Sequence, residues 1–232
     1  MTLENRRFSA IFFDYGGTLD APGVAWRNRF FPIYLQAGVE VSPEKFARAF
    51  YTSDDSLVAE APVHMNLTQV VFEQVKRVLE NLGIFTKQLQ TKIAEKFLED
   101  SFSNINEIKP ALQTLRKNFK MGIISNNYGN LENICKETGL DTLMDVLVDS
   151  NRIGHTKPSP EIFRAGLSAL DVEPFSSIMV GDSLPRDIKG ARDLGMEAFW
   201  LSPIKDKTKS QHEIDNLTVI SSIKNIPAIL NH

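Results

Sequence analysis

The sequence predicts an α/β protein: a parallel sheet covered by helices on both faces, with a second lobe of helices inserted after the first strand. Three observations carry this reading. Short apolar runs at residues 8–13, 121–125, 143–148, 177–180 and 198–201 alternate with helical stretches such as 110–118 and 185–194, the pattern of strands buried on both faces. Residues 20–104 repeat their apolar positions at helical spacing with no clear strand between them. The chain has 232 residues, 42% of them hydrophobic and 24% charged, which exceeds one typical domain and suits a core with an insertion.

The run at residues 8–13 is apolar and aromatic and stops at Asp14 and the Gly16-Gly17 pair, which reads as a buried strand ending in a tight turn. Trp26, Phe30 and Tyr34 then share a helical face, in a helix that Pro32 should disturb. Ser42-Pro43-Glu44 is a helix start, with Phe46 and Phe50 one turn apart. Leu67, Val70, Val71, Val75, Val78, Leu79 and Leu82 mark a third helix that Gly83 stops, and Thr86 precedes a fourth carrying Leu89, Ile93 and Phe97. Phe30, Phe46, Phe50, Phe72 and Phe97 are expected to form the core of this lobe. Residues 1–19 and 105–232 are assigned to the sheet domain and 20–104 to the helical one. Residues 205–215 read as an exposed polar loop before a last short strand and helix.

Net charge is −3, and Lys and Arg are scattered rather than gathered into a stripe, so no nucleic-acid partner is expected. No stretch reaches the apolar length of a membrane helix, and no signal-peptide apolar region follows residues 1–7, so the expectation is a cytoplasmic protein with no membrane partner. The single cysteine, Cys135, has no internal disulfide partner and no metal or nucleophile motif around it, and reads as a buried small hydrophobe. The sequence specifies no oligomeric state.

Ligands of an open parallel sheet bind at the carboxyl ends of its strands, where this chain places its polar residues. Asp14 ends the first strand, Ser125-Asn126 the second, Lys157 follows the third, and Gly181-Asp182 end the fourth with Asp187 one helical turn later. Carboxylates gathered at one edge repel and raise one another's pKa unless a cation intervenes. Magnesium (Mg2+) suits carboxylate oxygen, backbone carbonyl and phosphate ligands. Lys157 would keep Asp14 ionised and face phosphate oxygens, Ser125 offers a hydroxyl donor, and the amides of Gly16-Gly17-Thr18 can nest an anion. An ionised Asp14 beside such a phosphate is placed to attack phosphorus, forming an aspartyl-phosphate that water cleaves. The partner implied is a small phosphorylated molecule.

Phe12-Phe13-Asp14-Tyr15-Gly16-Gly17-Thr18-Leu19, Ile123-Ile124-Ser125-Asn126, Lys157-Pro158 and Gly181-Asp182-Ser183 followed by Asp187 resemble, in order, the four motifs of the haloacid dehalogenase (HAD) superfamily, across nearly all of the chain. The resemblance implies a Rossmann-like core with the helical insertion as a mobile cap. It implies Asp14 as nucleophile with Lys157 beside it, and Gly17, Thr18, Ser125, Asn126 and Lys157 as the residues that hold the substrate. It also implies a magnesium shell of Asp14, the Gly16 carbonyl and Asp182, supported by Asp187. Specificity would lie in the cap, whose closure excludes water.

The phosphatases of that family carry a second aspartate two residues after the nucleophile, where this chain has Gly16. The change removes a general acid/base worth about 10²–10⁴-fold and keeps the backbone carbonyl. Asp20 is a conceivable substitute, and a good leaving group, such as that of an acyl or aryl phosphate, needs no acid. If the missing acid is the sole defect, Gly16→Asp should speed alkyl phosphate hydrolysis. Three other readings stay open. One is a dehalogenase, against which Asp182 argues. Another is a phosphonatase-like enzyme using Lys45, Lys76, Lys87, Lys92 or Lys96 as a Schiff base. The third is a phosphate-binding or regulatory protein without turnover.

Other residues have ordinary readings. His64 and His155 read as loop histidines, and Ser159-Pro160-Glu161 as a helix start just after Lys157. Tyr15 suits packing as well as substrate contact. Trp26, Arg27 and Arg29 begin the first inserted helix near the hinge, where a guanidinium could clamp an anion, although a solvated helix face is the commoner role.

Overall fold

A computed structural model describes residues 8–203 and 217–230. Its sheet has six parallel strands, β1 (Ala10–Phe13), β2 (Lys120–Ser125), β3 (Val146–Asp149), β4 (Ser177–Gly181), β5 (Glu197–Leu201) and β6 (Thr218–Ile220), in the order β3-β2-β1-β4-β5-β6. Successive side chains of β1 go to opposite faces: Ile11 and Phe13 join one apolar cluster and Ala10 and Phe12 the other, all fully buried. Both faces are covered, so β1 reads as an unbroken apolar run instead of an alternating one. After β3 the chain crosses back to β4 on the other side of β1. The crevice opened by that reversal lies at the carboxyl ends of β1 and β4.

The insertion forms four helices, α1 (Trp26–Gln36), α2 (Pro43–Glu60), α3 (Leu67–Leu82) and α4 (Lys87–Leu115). Ser42 accepts from the Lys45 amide to start α2, Asn66 and Gln69 form a capping box on α3, and Gly83 ends α3 at φ +74°. Phe30 and Phe97 stack with centroids 3.9 Å apart, joined by Phe46 and Phe50 in the buried core. Each such side chain contributes on the order of 2 kcal/mol through burial. Phe72, expected among them, is only partly buried. On the sheet, α5 (Leu131–Thr138), α6 (Ser150–Ile153), α7 (Pro160–Leu170), α8 (Lys189–Asp193) and α9 (Ile226–Ile229) complete the layers. Cys135 is buried in the first cluster, and burial pushes its thiol pKa up.

Three expectations need correction. Helix α1 runs on through Pro32. The helix expected to begin at Pro110 is instead the end of α4, which continues through Pro110 because Ile105, Ile108, Leu112 and Leu115 extend the apolar face of Ile93 and Phe97 across it; proline suits a first turn, but here continuous burial outweighs the lost hydrogen bond. The third strand starts at Val146, not at residue 143, since Leu143 and Met144 pack into the core from the turn before it. The loop expected at 205–215 lies outside the described residues. Among the described residues no helix is long and apolar enough to cross a membrane.

Candidate active site

The register pairs Phe13 with Ile123 on one side and Val180 on the other, so Asp14 is the first residue beyond the sheet at the crossover crevice. Its amide donates to the Val180 carbonyl at 2.9 Å. Ser125, the last residue of β2, donates from Oγ to Asp14 Oδ1 at 3.0 Å. Lys157 comes from the loop before α7 and is 4% exposed. Its Nζ donates to Asp14 Oδ1 at 2.6 Å and to the Ile124 carbonyl at 2.8 Å, and pairs with Asp187 Oδ1 at 2.7 Å. Asn126 holds the lysine backbone from both sides: Oδ1 accepts from the Lys157 amide at 2.7 Å and Nδ2 donates to its carbonyl at 3.2 Å. Asn126 thus acts first as the clamp that aims Lys157.

Opposite them, β4 delivers Asp182, and the turn after it delivers Asp187. Gly181 makes this possible, because a Cβ there would lie 2.4 Å from the Asp187 side chain. The Ser183 amide donates to Asp187 Oδ2 at 3.0 Å. Thr18 donates from Oγ1 to Asp182 Oδ1 at 3.4 Å. Gly17 sits at φ +92° with Asp182 Oδ2 only 2.7 Å from where a Cβ would be, so its place demands glycine twice over. Oxygens of Asp14, Asp182 and Asp187 lie within 4.8 Å of one another.

This crowding has an electrostatic cost. Burial, then the charges of Asp14 and Asp187, push the Asp182 carboxyl up to about 7. Burial also raises Asp187, against the pull of Lys157. Burial pulls the Lys157 ammonium down, but Asp14 and Asp187 more than offset it and the net direction is up. Lys157 therefore stays charged, paired with Asp14 and Asp187 and, together with Arg186, only partly offsetting the rise at Asp182. Hard oxygen donors this close, one of them raised by burial and by its acidic neighbours, fit a divalent ion such as magnesium.

The turn after β1 corrects two expectations. The Gly17 amide donates to Asp20 Oδ1 at 2.6 Å and so does not contribute to an anion nest. Asp20 itself is fully buried; its Oδ2 accepts from Trp26 Nε1 and Arg29 Nη1, both at 2.7 Å. Held by three donors, Asp20 is a structural anion that ties the turn to α1 and does not replace the missing acid. Arg29 also donates to Ser101 Oγ at 2.6 Å and lies 4.0 Å over the Phe97 ring, so it braces the helices instead of clamping substrate. His64 and His155 are exposed and Tyr15 is buried.

The Trp26 indole occupies the space above Gly16, with Nε1 3.3 Å from the position a Cβ would take. Gly16→Asp is therefore expected to give no gain in alkyl phosphate hydrolysis and to lower stability by about 1–3 kcal/mol as the indole is pushed off Asp20. Thermal melts and a kcat comparison check this; a gain above tenfold would show that the indole yields freely.

A cavity of about 170 Å³ has Gly16, Ser125 and Asn126 in its lining. From the helices it is lined by Trp26, Arg27, Tyr51 and Asp54, and from the sheet side by Tyr128 and Arg186. None of the five lysines considered for Schiff-base chemistry lines it. Asp54 and Tyr128 escaped the sequence reading. A signal was present: Asp54 continues the buried stripe of Phe46 and Phe50 at i+4 spacing, a charge where an apolar residue would be expected.

Sheet order, inserted helices and a buried aspartate–lysine pair at the crossover define a Rossmann-like α/β protein with a polar site at its strand ends. A family profile for haloacid dehalogenase-like hydrolases matches residues 8–195, and the chain belongs to that family. It is 29% identical to haloacid dehalogenase-like hydrolase domain-containing protein 3 of Bos taurus, over 78% of this chain and 79% of that protein. It is 27% identical to the glyceraldehyde 3-phosphate phosphatase of Methanothermobacter thermautotrophicus, over 95% of this chain and 99% of that one. The magnesium-bound HAD-hydrolase YfnB of Bacillus subtilis shares the fold at a TM-score of 0.61 and 21% identity, over 98% of this chain and all of that one.

Proposed function

We propose that the chain is a magnesium-dependent phosphatase of small phosphorylated molecules, working through an aspartyl-phosphate on Asp14. The observation that carries this is the Asp14 carboxylate, held through Oδ1 by Ser125 and Lys157 with Asp182 and Asp187 beside it. That arrangement leaves Oδ2 for attack on phosphorus. Lys157 and Ser125 then face both the nucleophile and the oxygens of the incoming phosphoryl group, countering charge where it develops. Asn126 keeps Lys157 aimed. Asp14 and Asp182 would hold magnesium with the Gly16 carbonyl, while Asp187, engaged by Lys157 and Ser183, would support them. Bound there, the metal would neutralise phosphoryl charge and orient the group for in-line displacement. Phosphatase relatives, such as the glyceraldehyde 3-phosphate phosphatase of Methanothermobacter thermautotrophicus, support the substrate class.

In this reading residues 20–104 act as a cap and residues 1–19 with 105–232 as the core. The boundary falls inside α4, which packs on α1 and α3 of the insertion and on α9 of the sheet domain. A cytoplasmic setting suits the buried thiol of Cys135.

The test is aryl phosphate hydrolysis with magnesium, with a chelator, and in Asp182→Asn. Activity should require the metal. Asp182→Asn should weaken magnesium binding by more than the roughly 10–100-fold ordinary for a residue behind a ligand. The same variant should melt higher than the wild type in chelator, because one of three crowded acids is gone. Unchanged magnesium titration would remove Asp182 from the shell; phosphate binding without turnover would favour a binding protein instead.

A further inference from the structure

We propose that Asp54, delivered from the inserted helices, is the general acid and base that the chain lacks at Gly16. This rests on the phosphatase reading above and names the residue that completes it. Asp54 and Gly16 line one cavity with Ser125, the residue hydrogen-bonded to Asp14. Its place there is fixed. Tyr128, three residues past the end of β2, donates its hydroxyl proton to Asp54 Oδ1, and α2 is anchored to the sheet side beyond it, with Asn151 donating to the Val58 carbonyl at 2.8 Å. The nearer alternatives are engaged elsewhere: Asp20 is held by three donors, and the space over Gly16 is filled by Trp26.

The local charges suit a carboxyl that keeps its proton above the ordinary range. Burial raises Asp54, the Tyr128 hydrogen bond opposes this, Asp55 on the same helix adds to the rise, and Arg186 from the turn after β4 opposes it. Arg27 of α1 lines the same cavity and pairs with Asn28 and the Tyr51 ring. In the first step an Asp14 oxygen bonds to phosphorus as the ester P–O bond breaks, and the leaving oxygen takes the proton of Asp54. In the second, the Asp54 carboxylate removes a proton from water as that oxygen bonds to phosphorus. The Asp14–phosphorus bond breaks, phosphate is released, and both acids return to their starting states.

The experiment compares wild type, Asp54→Asn and Tyr128→Phe with magnesium, on alkyl phosphates and on 4-nitrophenyl phosphate, across pH. Asp54→Asn keeps an acceptor for Tyr128 but has no acid. Its kcat/KM should fall about 10²-fold or more on alkyl phosphates and less than about threefold on the nitrophenyl ester, whose leaving group needs no proton. The nitrophenyl reaction should instead show a burst, because the aspartyl-phosphate now waits for an unassisted water. The fall in alkyl kcat/KM at high pH, where Asp54 loses its proton, should vanish in Asp54→Asn. In Tyr128→Phe it should move to higher pH, since a hydrogen bond that favours the ionised carboxyl is gone. Equal losses on both esters, or an unmoved limb, would make Asp54 a latch between helices and sheet only. A wild type that hydrolyses neither ester would overturn the phosphatase reading itself.

Discussion

Asp14→Asn should lower turnover by on the order of 10⁴-fold or more while leaving the fold intact. An amide has nearly the same shape as the carboxylate, and its oxygen still accepts from Ser125 at the position now 3.0 Å away. Lys157 also keeps Asp187 at 2.7 Å, so the lysine is not left without a counter-charge. The loss should therefore appear in kcat with a change in stability of no more than about 1–3 kcal/mol. Trapping of phosphate on the protein offers a second readout: the wild type should carry acid-stable label from substrate in the instant of quenching, and the variant none. Near-normal turnover in Asp14→Asn would take the nucleophile role away from this residue.

Lys157→Met should be the most destabilising single change at the site. The lysine is the cation shared by Asp14 and Asp187, with its side chain 2% exposed. Removing one partner of a buried ion pair costs about 3–5 kcal/mol, because the other charges stay behind. For a chain of this size that corresponds to a fall in Tm on the order of 10 °C. The deficit has a definite pH dependence. Without Lys157 the folded-state pKa values of Asp182 and Asp187, already raised by burial, rise further above their unfolded values, so stability is lost as pH rises through that window and recovered as pH falls and these acids take up protons. Magnesium should restore part of the Tm at neutral pH by supplying the missing positive charge, yet not the turnover, since no ammonium faces the phosphoryl oxygens. An unchanged melting curve for Lys157→Met would mean that the carboxylates are not electrostatically dependent on it.

Much of the site could be read from the chain because parallel strands end where their polar residues begin. A buried strand must shed charge along its length, so the first carboxylate after residues 8–13 marks the edge, and the same holds for Ser125 and Asp182. Lys157 was legible by a different route, as a lysine after the third strand in the Lys157-Pro158 pair that resembles a family motif. The roles of Asp20 and Gly17 were not. Whether a buried carboxylate donates a proton or anchors a turn depends on who reaches its oxygens, and Trp26 and Arg29 do so from another helix. Pro110 shows the same limit within one helix, where local preference pointed to a new start and tertiary burial carried α4 through it.

By itself the sequence determined the strand and helix alternation, the place of the insertion, and which acids stand at the sheet edge, because these follow from periodicity and from the exclusion of charge from buried strands, while the lysine was marked by its motif. Tertiary structure alone decided that Trp26 fills the space over Gly16, that Asp20 is tied to α1, and that Asp54 reaches the cavity from the inserted helices. Those outcomes depend on how the turn folds back onto α1 and on how α2 meets the sheet side through Tyr128, and no periodic pattern encodes either approach.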